Sequence, residues 1–275
     1  MTDWSPLVST AAARFGRDGG GEPPRLPAGI RIYAIGDSHG RLDLATQLLA
    51  RIEADAATTP PERAIQVFLG DFIDRGPDTC RLIDVLMAPP PAGFERVVLR
   101  GNHEEALRQF FTDPRAGRAW LANGGESALE SYGIRLRQDR HPALRVLEAQ
   151  ESLLRHIPAA HRQFLEDRPL WFTCGDYLFV HAGVRPGLPL EAQTLEDLLW
   201  IREPFLHCDA AHGLMVVHGH TVRPAPDIRA NRIGIDTGAW TTGRLTCLVL
   251  EGARRRFLHT GDPWPAGLLP PGWEG

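Results

Sequence analysis

The chain of 275 residues reads as an α/β protein with a largely parallel sheet and helices packed on it. In the first half, short β-branched apolar runs alternate with stretches whose apolar residues recur at helical spacing. Each of the first three strands stops at a glycine followed by a polar residue. The second half is strand-rich, with several strands separated only by turns, which predicts antiparallel pairing there. The length allows one large domain or two small ones and a substantial core without staples.

The elements follow in order. Residues 30–35 form a strand ending at Gly36-Asp37, and residues 42–52 carry apolar positions at helical spacing. Residues 64–69 are a second strand ending at Gly70-Asp71, followed by a helix over 78–87. Residues 96–99 are a third strand ending at Gly101-Asn102, followed by a helix over 104–111. The stretch 114–166 is mostly helical in pattern. Strands are then expected at 170–173, 177–181, 214–218, 232–235, 246–250 and 255–259. Residues 16–29 are dense in Gly and Pro and, with the end of the chain, resemble a soft boundary. The organisation expected is a flexible segment 1–29, a single domain 30–262 and a tail 263–275, on which Trp264 and Trp273 are candidates to dock.

In α/β sheets, ligands bind beyond the carboxyl ends of the strands. Five strand ends here present Asp37 and His39, Asp71, Asn102, His181 and His220 toward one rim. That donor set of oxygen and imidazole, without thiolate, suits manganese, iron or zinc. The number of donors suggests two ions. Asp37 and His39 can reach one, and Asn102, His181 and His220 can hold a second, with Asp71 bridging. A pair of ions activates water as a nucleophile and stabilises both attacking and leaving oxygens of a phosphoester. His103 follows Asn102 directly and can serve as the acid, with Asp74 holding its ring and raising its pKa. Arg75 offers a planar fork for phosphate oxygens. A second arginine is expected because the transferring phosphoryl group spreads charge over three oxygens; Arg202 is the choice.

The motifs GDSHG (36–40), GDFIDRG (70–76), GNHE (101–104), HAG (181–183) and GHT (219–221) resemble the PPP family of metal-dependent serine/threonine phosphoprotein phosphatases, within the calcineurin-like metallophosphoesterases. Stretches such as NGGES (123–127), LWIRE (199–203) and IDTGA (235–239) resemble its bacterial and phage-type branch. The resemblance spans about residues 30–251. It implies a four-layer fold: a central β-sandwich of two mixed sheets flanked by helices, with the site at the carboxyl ends of the strands. It implies two divalent ions, most often Mn2+ in bacterial members. It assigns Asp37, His39 and Asp71 to one ion, and Asp71, Asn102, His181 and His220 to the other. His103 with Asp74 becomes the general acid, and Arg75, Asn102, His103 and Arg202 contact the substrate. The implied reaction is hydrolysis of phosphoserine and phosphothreonine in proteins, with phosphotyrosine as a further option, by direct attack of a hydroxide shared by the ions. Ser38 fills the variable slot of the first motif. Val222 stands where many other metallophosphoesterases carry a second histidine, in keeping with the PPP branch. The helical stretch between His103 and His181 is longer than in the eukaryotic enzymes, so their substrate surfaces do not carry over.

Simpler readings apply elsewhere. The four cysteines have no CxxC or zinc spacing and read as inert thiols. His218 reads as a buried, satisfied histidine on a strand. Arg185 is either a third phosphate contact or a turn arginine. With a net charge of −4, the arginine run 254–256 reads as a solvated strand end, and neither nucleic-acid nor membrane binding is expected. The start of the chain lacks a secretory signal pattern and no stretch is long enough to span a bilayer, so a cytoplasmic protein is expected. Phosphorylated proteins or peptides, and small phosphoesters in vitro, are the expected partners. A dinucleoside polyphosphate hydrolase is the alternative, which GDFIDRG and GNHE disfavour. A catalytically inactive metal-binding scaffold predicts a lost ligand, acid or arginine, and none is lost.

Overall fold

Alternation along the strands decides the layering. In a computed structural model, which describes residues 23–264 together with Leu268, Leu269 and Trp273, ten strands form two five-stranded sheets. The first has the order β10-β9-β1-β2-β3 and the second β4-β5-β6-β8-β7. In β1 (Ile30–Ile35), Ile30, Ile32 and Ala34 face the second sheet. Tyr33 and Ile35 face the helices. In β5 (Tyr177–Val180), Tyr177 and Phe179 meet the first sheet, while Leu178 and Val180 pack outward on Leu198, Leu199 and Phe205. A period of two thus puts one apolar row in the sandwich and one against an outer helical layer. Helices therefore flank a sandwich of two mixed sheets, the four-layer architecture implied by the motifs.

The first sheet joins β1, β2 (Arg63–Phe68) and β3 (Phe94–Val98) in parallel. It is not wholly parallel, because β9 (Thr246–Glu251) runs antiparallel beside β1 and pairs with β10 (Arg254–His259). The turn-linked pairs β4 (Trp171–Cys174) with β5, and β9 with β10, are antiparallel as expected. β5, β6 (Met215–His218) and β8 (Arg232–Gly234) are parallel, because long connections carry the chain back across the sheet. The two-residue β7 (Asp227–Ile228) was not expected. The helix Leu42–Thr58 runs six residues past the expected end, since the alanines that follow Ile52 favour helix. It buries Leu44, Leu48 and Ile52, each contributing roughly 1.5–3 kcal/mol of apolar burial.

Residues 1–22 of the lead-in lie outside the described residues, but its end is fixed. Leu26 is buried and its N–H donates to the Gly252 carbonyl in the β9–β10 turn. Arg25 exchanges hydrogen bonds with Asp176 in the β4–β5 turn, and Tyr177 donates to the Pro24 carbonyl. Pro24–Leu26 therefore bridges the sheets at the end remote from the motifs. Trp264 packs on Phe257 and His259, and Trp273 stacks on Phe257 at 5.2 Å; most of the remaining tail lies outside the described residues. No helix among the described residues is long and apolar enough to cross a membrane.

Candidate metal centre and active site

The loops after β1, β2, β3, β5, β6 and β8 converge on one rim. Asn102 Oδ1 lies 2.8 Å from His181 Nε2 and 2.8 Å from His220 Nδ1, and Asp71 Oδ1 lies 3.5 Å from His181 Nε2. Donors bonded at about 2.0–2.2 Å to one ion sit at about such separations from each other. On the other side of Asp71, Oδ2 lies 3.7 Å from His39 Nε2. One carboxylate thus faces both donor groups. The free ring nitrogens are aimed by backbone: His39 Nδ1 bonds the Ile73 carbonyl at 3.0 Å, and His181 Nδ1 the Leu69 carbonyl at 2.9 Å. These contacts leave Nε2 of each ring as the ligand atom. Asp37 accepts the His220 N–H on Oδ2 at 2.9 Å, while its buried Oδ1 has no partner.

Electrostatics fit a pair of divalent cations. Burial holds the imidazoles neutral, lowering His39 to about 3 and His220 to about 2, with His181 also lowered. Neutral rings are the form that binds metal. Burial, Asp236 and Asp71 push the Asp37 carboxyl well above its usual range. Asp71 resists the effect of burial because His181, His103, His39 and His220 surround it and hold it below the usual carboxylate range. Asp236, outside the expected donor set, is buried and raised to about 6 by burial, even though it accepts the Gly238 N–H; the Asp71 charge adds to the shift. Crowded buried carboxylates with an unpartnered oxygen are costly unless cations neutralise them.

His39, Asp71 and His103 also cluster closely enough to suggest a ligand set. Both nitrogens of His103 are otherwise engaged. Nδ1 lies 2.7 Å from Asp74 Oδ2, and Nε2 lies 3.2 Å from Arg75 Nη2. A cation cannot share Nε2 with a guanidinium, which favours Asp37 over His103 as the third donor. Burial alone would lower the His103 pKa, but the Asp71 charge and the Asp74 hydrogen bond raise it to about 9. The predicted acid, its partner and the predicted phosphate arginine are therefore in contact. Arg202 donates to Thr221 Oγ1 at 3.3 Å and lines the same recess of about 150 Å3 as Arg75, Asn102, His103 and His220. A larger cavity of about 620 Å3, between Arg31, Glu251, Arg254 and Trp273, contains no motif residue.

Three features were hidden in the sequence. His39, Asp71, Asp74, Arg75 and His220 are the non-glycine residues with positive φ among the described residues, so five predicted site residues hold costly backbone conformations. Glu104 supplies part of the support. It is fully buried, and its Oε2 accepts the N–H groups of Asp71 and Gly101 at 2.8 and 2.7 Å. Its Oε1 accepts those of Phe72 and Ile73 at 2.9 and 3.2 Å. Burial and Asp71 push its pKa up, to about 8. Four donors nonetheless occupy the lone pairs of both oxygens and leave no place for a proton, so Glu104 is ionised. Gly101 lets this happen, since a Cβ there would overlap Asp71 Oδ1. The third feature is Trp120, whose Nε1 reaches Asp74 Oδ2 at 2.9 Å.

A family model described as calcineurin-like phosphoesterase matches residues 30–234. The chain belongs to this family. Within it, "Serine/threonine-protein phosphatase 2" of Escherichia coli is 34% identical over 225 residues, covering 78% of this chain and 90% of that protein. The asymmetrical bis(5'-nucleosyl)-tetraphosphatase PrpE of Anoxybacillus flavithermus is 26% identical over 234 residues, covering 78% and 88%. The crystal structure of a candidate diadenosine tetraphosphatase superposes with a TM-score of 0.55 at 18% identity, covering 85% of this chain and 95% of that one. This calcineurin-like phosphoesterase is thus a hydrolase of phosphoesters, with a His/Asp cluster able to hold metal.

The simpler readings fare unevenly. His218 is buried and lowered to about 4 by burial; Nδ1 bonds the Gly219 carbonyl, but Nε2 has no partner, so it is only half satisfied. Arg185 pairs with Asp197 at 2.6 Å. The run 254–256 is not simply solvated: Arg255 donates to Tyr177 and Arg256 to Asp55. The four cysteines are free thiols.

Proposed function

We propose that the chain is a two-metal phosphomonoesterase that acts on phosphoserine and phosphothreonine in proteins. The observation that carries this reading is the Asp74–His103 pair at 2.7 Å, with Nε2 beside Arg75, over the rim of the donor cluster. When bound, two ions supply an activated water and neutralise charge on the phosphoryl group. Asp37, His39 and Asp71 would hold one ion, and Asp71, Asn102, His181 and His220 the other; manganese is the proposed metal. His103 donates a proton from Nε2 to the leaving oxygen once Arg75, which donates to that nitrogen in the free site, has turned to the phosphoryl oxygens, while Asp74 holds Nδ1 and stabilises the charged ring. Arg75 and Arg202 bind phosphoryl oxygens from two sides, with the Asn102 amide as a further contact. The recess, about 150 Å3, admits a phosphoryl group rather than an enclosed nucleoside, since pockets that engulf larger ligands run to about 300–1,000 Å3. An acid at the leaving oxygen matters most for a serine alkoxide. The name of the E. coli relative supports the same substrate class. The proposed setting is the cytoplasm, with phosphorylated proteins as partners.

The name of the A. flavithermus relative supports a second reading, hydrolysis of dinucleoside polyphosphates. Turnover of phosphoserine peptides and of dinucleoside tetraphosphate, compared with manganese added, decides between them. The proposal expects kcat/KM to favour the peptides. Efficient cleavage of the tetraphosphate with negligible peptide turnover would replace it with the second reading.

A further inference from the structure

The segment Trp120–Gly125 belongs to neither the donor cluster nor the acid pair, yet it touches both partners of the chemistry. The Trp120 ring is buried, and its Nε1 donates to Asp74 Oδ2, the oxygen that also takes His103 Nδ1. Asp74 Oδ1 has no partner, so these two N–H groups set the orientation of the carboxylate. Beyond Trp120 the helix breaks at a kink, where Asn123 (φ −97°, ψ 19°) and Gly124 (φ 105°, ψ 5°) leave helical geometry. This detour aims the Gly124 carbonyl at the Arg75 N–H, 3.1 Å away. In a regular helix that carbonyl would run parallel to the axis toward the next turn; the kink turns it aside. The approach is close: a Cβ on Gly124 would lie 2.6 Å from Arg75 Cγ and 2.8 Å from its nitrogen. Trp240 lies against the Arg75 guanidinium, 5.3 Å from ring centroid to Cζ.

We propose that Trp120 and Gly124 are positioning residues for the phosphoester reaction. Trp120 fixes the acid pair through Asp74, and Gly124 fixes the arginine that grips phosphate. One kinked segment thereby holds proton donor and phosphate contact in register. The proposal rests on the roles assigned to His103 and Arg75.

The test uses the full chain loaded with manganese and three variants: Trp120→Phe, Gly124→Ala and Gly133→Ala. Gly133 also has positive φ, at 77°, but a Cβ there would meet nothing within 4 Å, so its replacement adds backbone strain without touching Arg75. Inorganic phosphate affinity is read by titration calorimetry, which needs no turnover. Turnover is compared on an alkyl phosphate and on nitrophenyl phosphate, with bound metal counted. Gly124→Ala is expected to weaken phosphate binding about tenfold, the scale of one charge-assisted contact, with the alkyl-to-aryl ratio and metal content unchanged. Trp120→Phe is expected to lower kcat on the alkyl ester about tenfold more than on the aryl ester, with phosphate affinity retained. Gly133→Ala should change neither. Unaltered phosphate affinity in Gly124→Ala, or equal losses on both esters in Trp120→Phe, overturns the proposal. If Gly124→Ala does not fold, Trp120→Phe decides alone, since it keeps an aromatic ring in the core. Wild-type protein that turns over no phosphomonoester counts against the assigned function, while the calorimetric arm still judges Gly124.

Discussion

Replacing Glu104 by Gln changes one atom and should unsettle the whole second loop. The carboxylate accepts four backbone N–H groups, two on each oxygen. Whichever way the amide sits, its NH2 faces two of those donors, so two bonds vanish and two buried N–H groups lose their partner. Hydrogen bonds to a charged group contribute about 1.5–3 kcal/mol each, so the loss should be about 3–6 kcal/mol. That is a large share of the roughly 5–15 kcal/mol that stabilises a typical domain. The loop also carries Asp71 and Asp74 at positive φ, so slackening it should cost metal affinity as well. The assay is urea unfolding of metal-free wild type and Glu104→Gln at neutral pH, followed by metal content after reloading. A loss below about 1 kcal/mol, with two ions retained, would mean that the group is protonated and that the four-donor reading is wrong.

Other outcomes are as direct. Asp71→Asn should lose at least one ion and nearly all activity, and a variant with two ions and normal turnover would remove Asp71 from between them. His103→Asn should keep its metal and lose about 10²–10⁴-fold on phosphoserine peptides but less on an aryl phosphate, as expected for a general acid; equal losses on both would show that His103 positions something instead. Asp55 accepts from Arg256 and Tyr33 at 2.7 Å each; burial opposes ionisation, but these partners depress its pKa. A depressed folded pKa stabilises above the unfolded value of about 3.9, and the contribution fades as pH falls through the folded pKa. Asp55→Asn should therefore be less stable than wild type at pH 7, with the gap narrowing as pH falls below about 4; a gap that does not narrow on acidification would contradict this.

The strand ends were legible because each announces itself locally: an apolar run, then a donor with a glycine just before it or, at His181, two residues after it. That pattern located Asp37, Asp71, Asn102, His181 and His220 without any knowledge of packing. The pairing of β5, β6 and β8 was not legible, because the α-helices in the β5–β6 connection are only four to six residues long, too short to show a period, and the β6–β8 connection has none. Positive φ at His39, Asp74 and Arg75 was equally hidden, since it is uncommon outside glycine, even for the more tolerant Asp and His, and nothing local in the sequence marks it. Trp120 stood 46 positions from Asp74 with nothing in its neighbourhood to suggest a carboxylate partner. The conformation of NGG became interpretable only with Arg75 lying against it.

The bridge at Pro24–Leu26 gives the sandwich a clasp at one end that is pure polypeptide. At the other end, Asp71 and Asn102 hang from the first sheet, and His181 and His220 from the second. An ion held by all four would be a second clasp, and one whose strength follows free metal concentration. By mass action it adds about 2.7 kcal/mol at a hundredfold excess over its dissociation constant. The two ends of the molecule should then answer differently to chelation. Amide exchange should quicken around residues 70–76 and 219–221, while the β9–β10 turn, tied by Leu26, keeps its protection. Metal supply would in this way set how tightly one mouth of the sandwich is shut, without loosening the other.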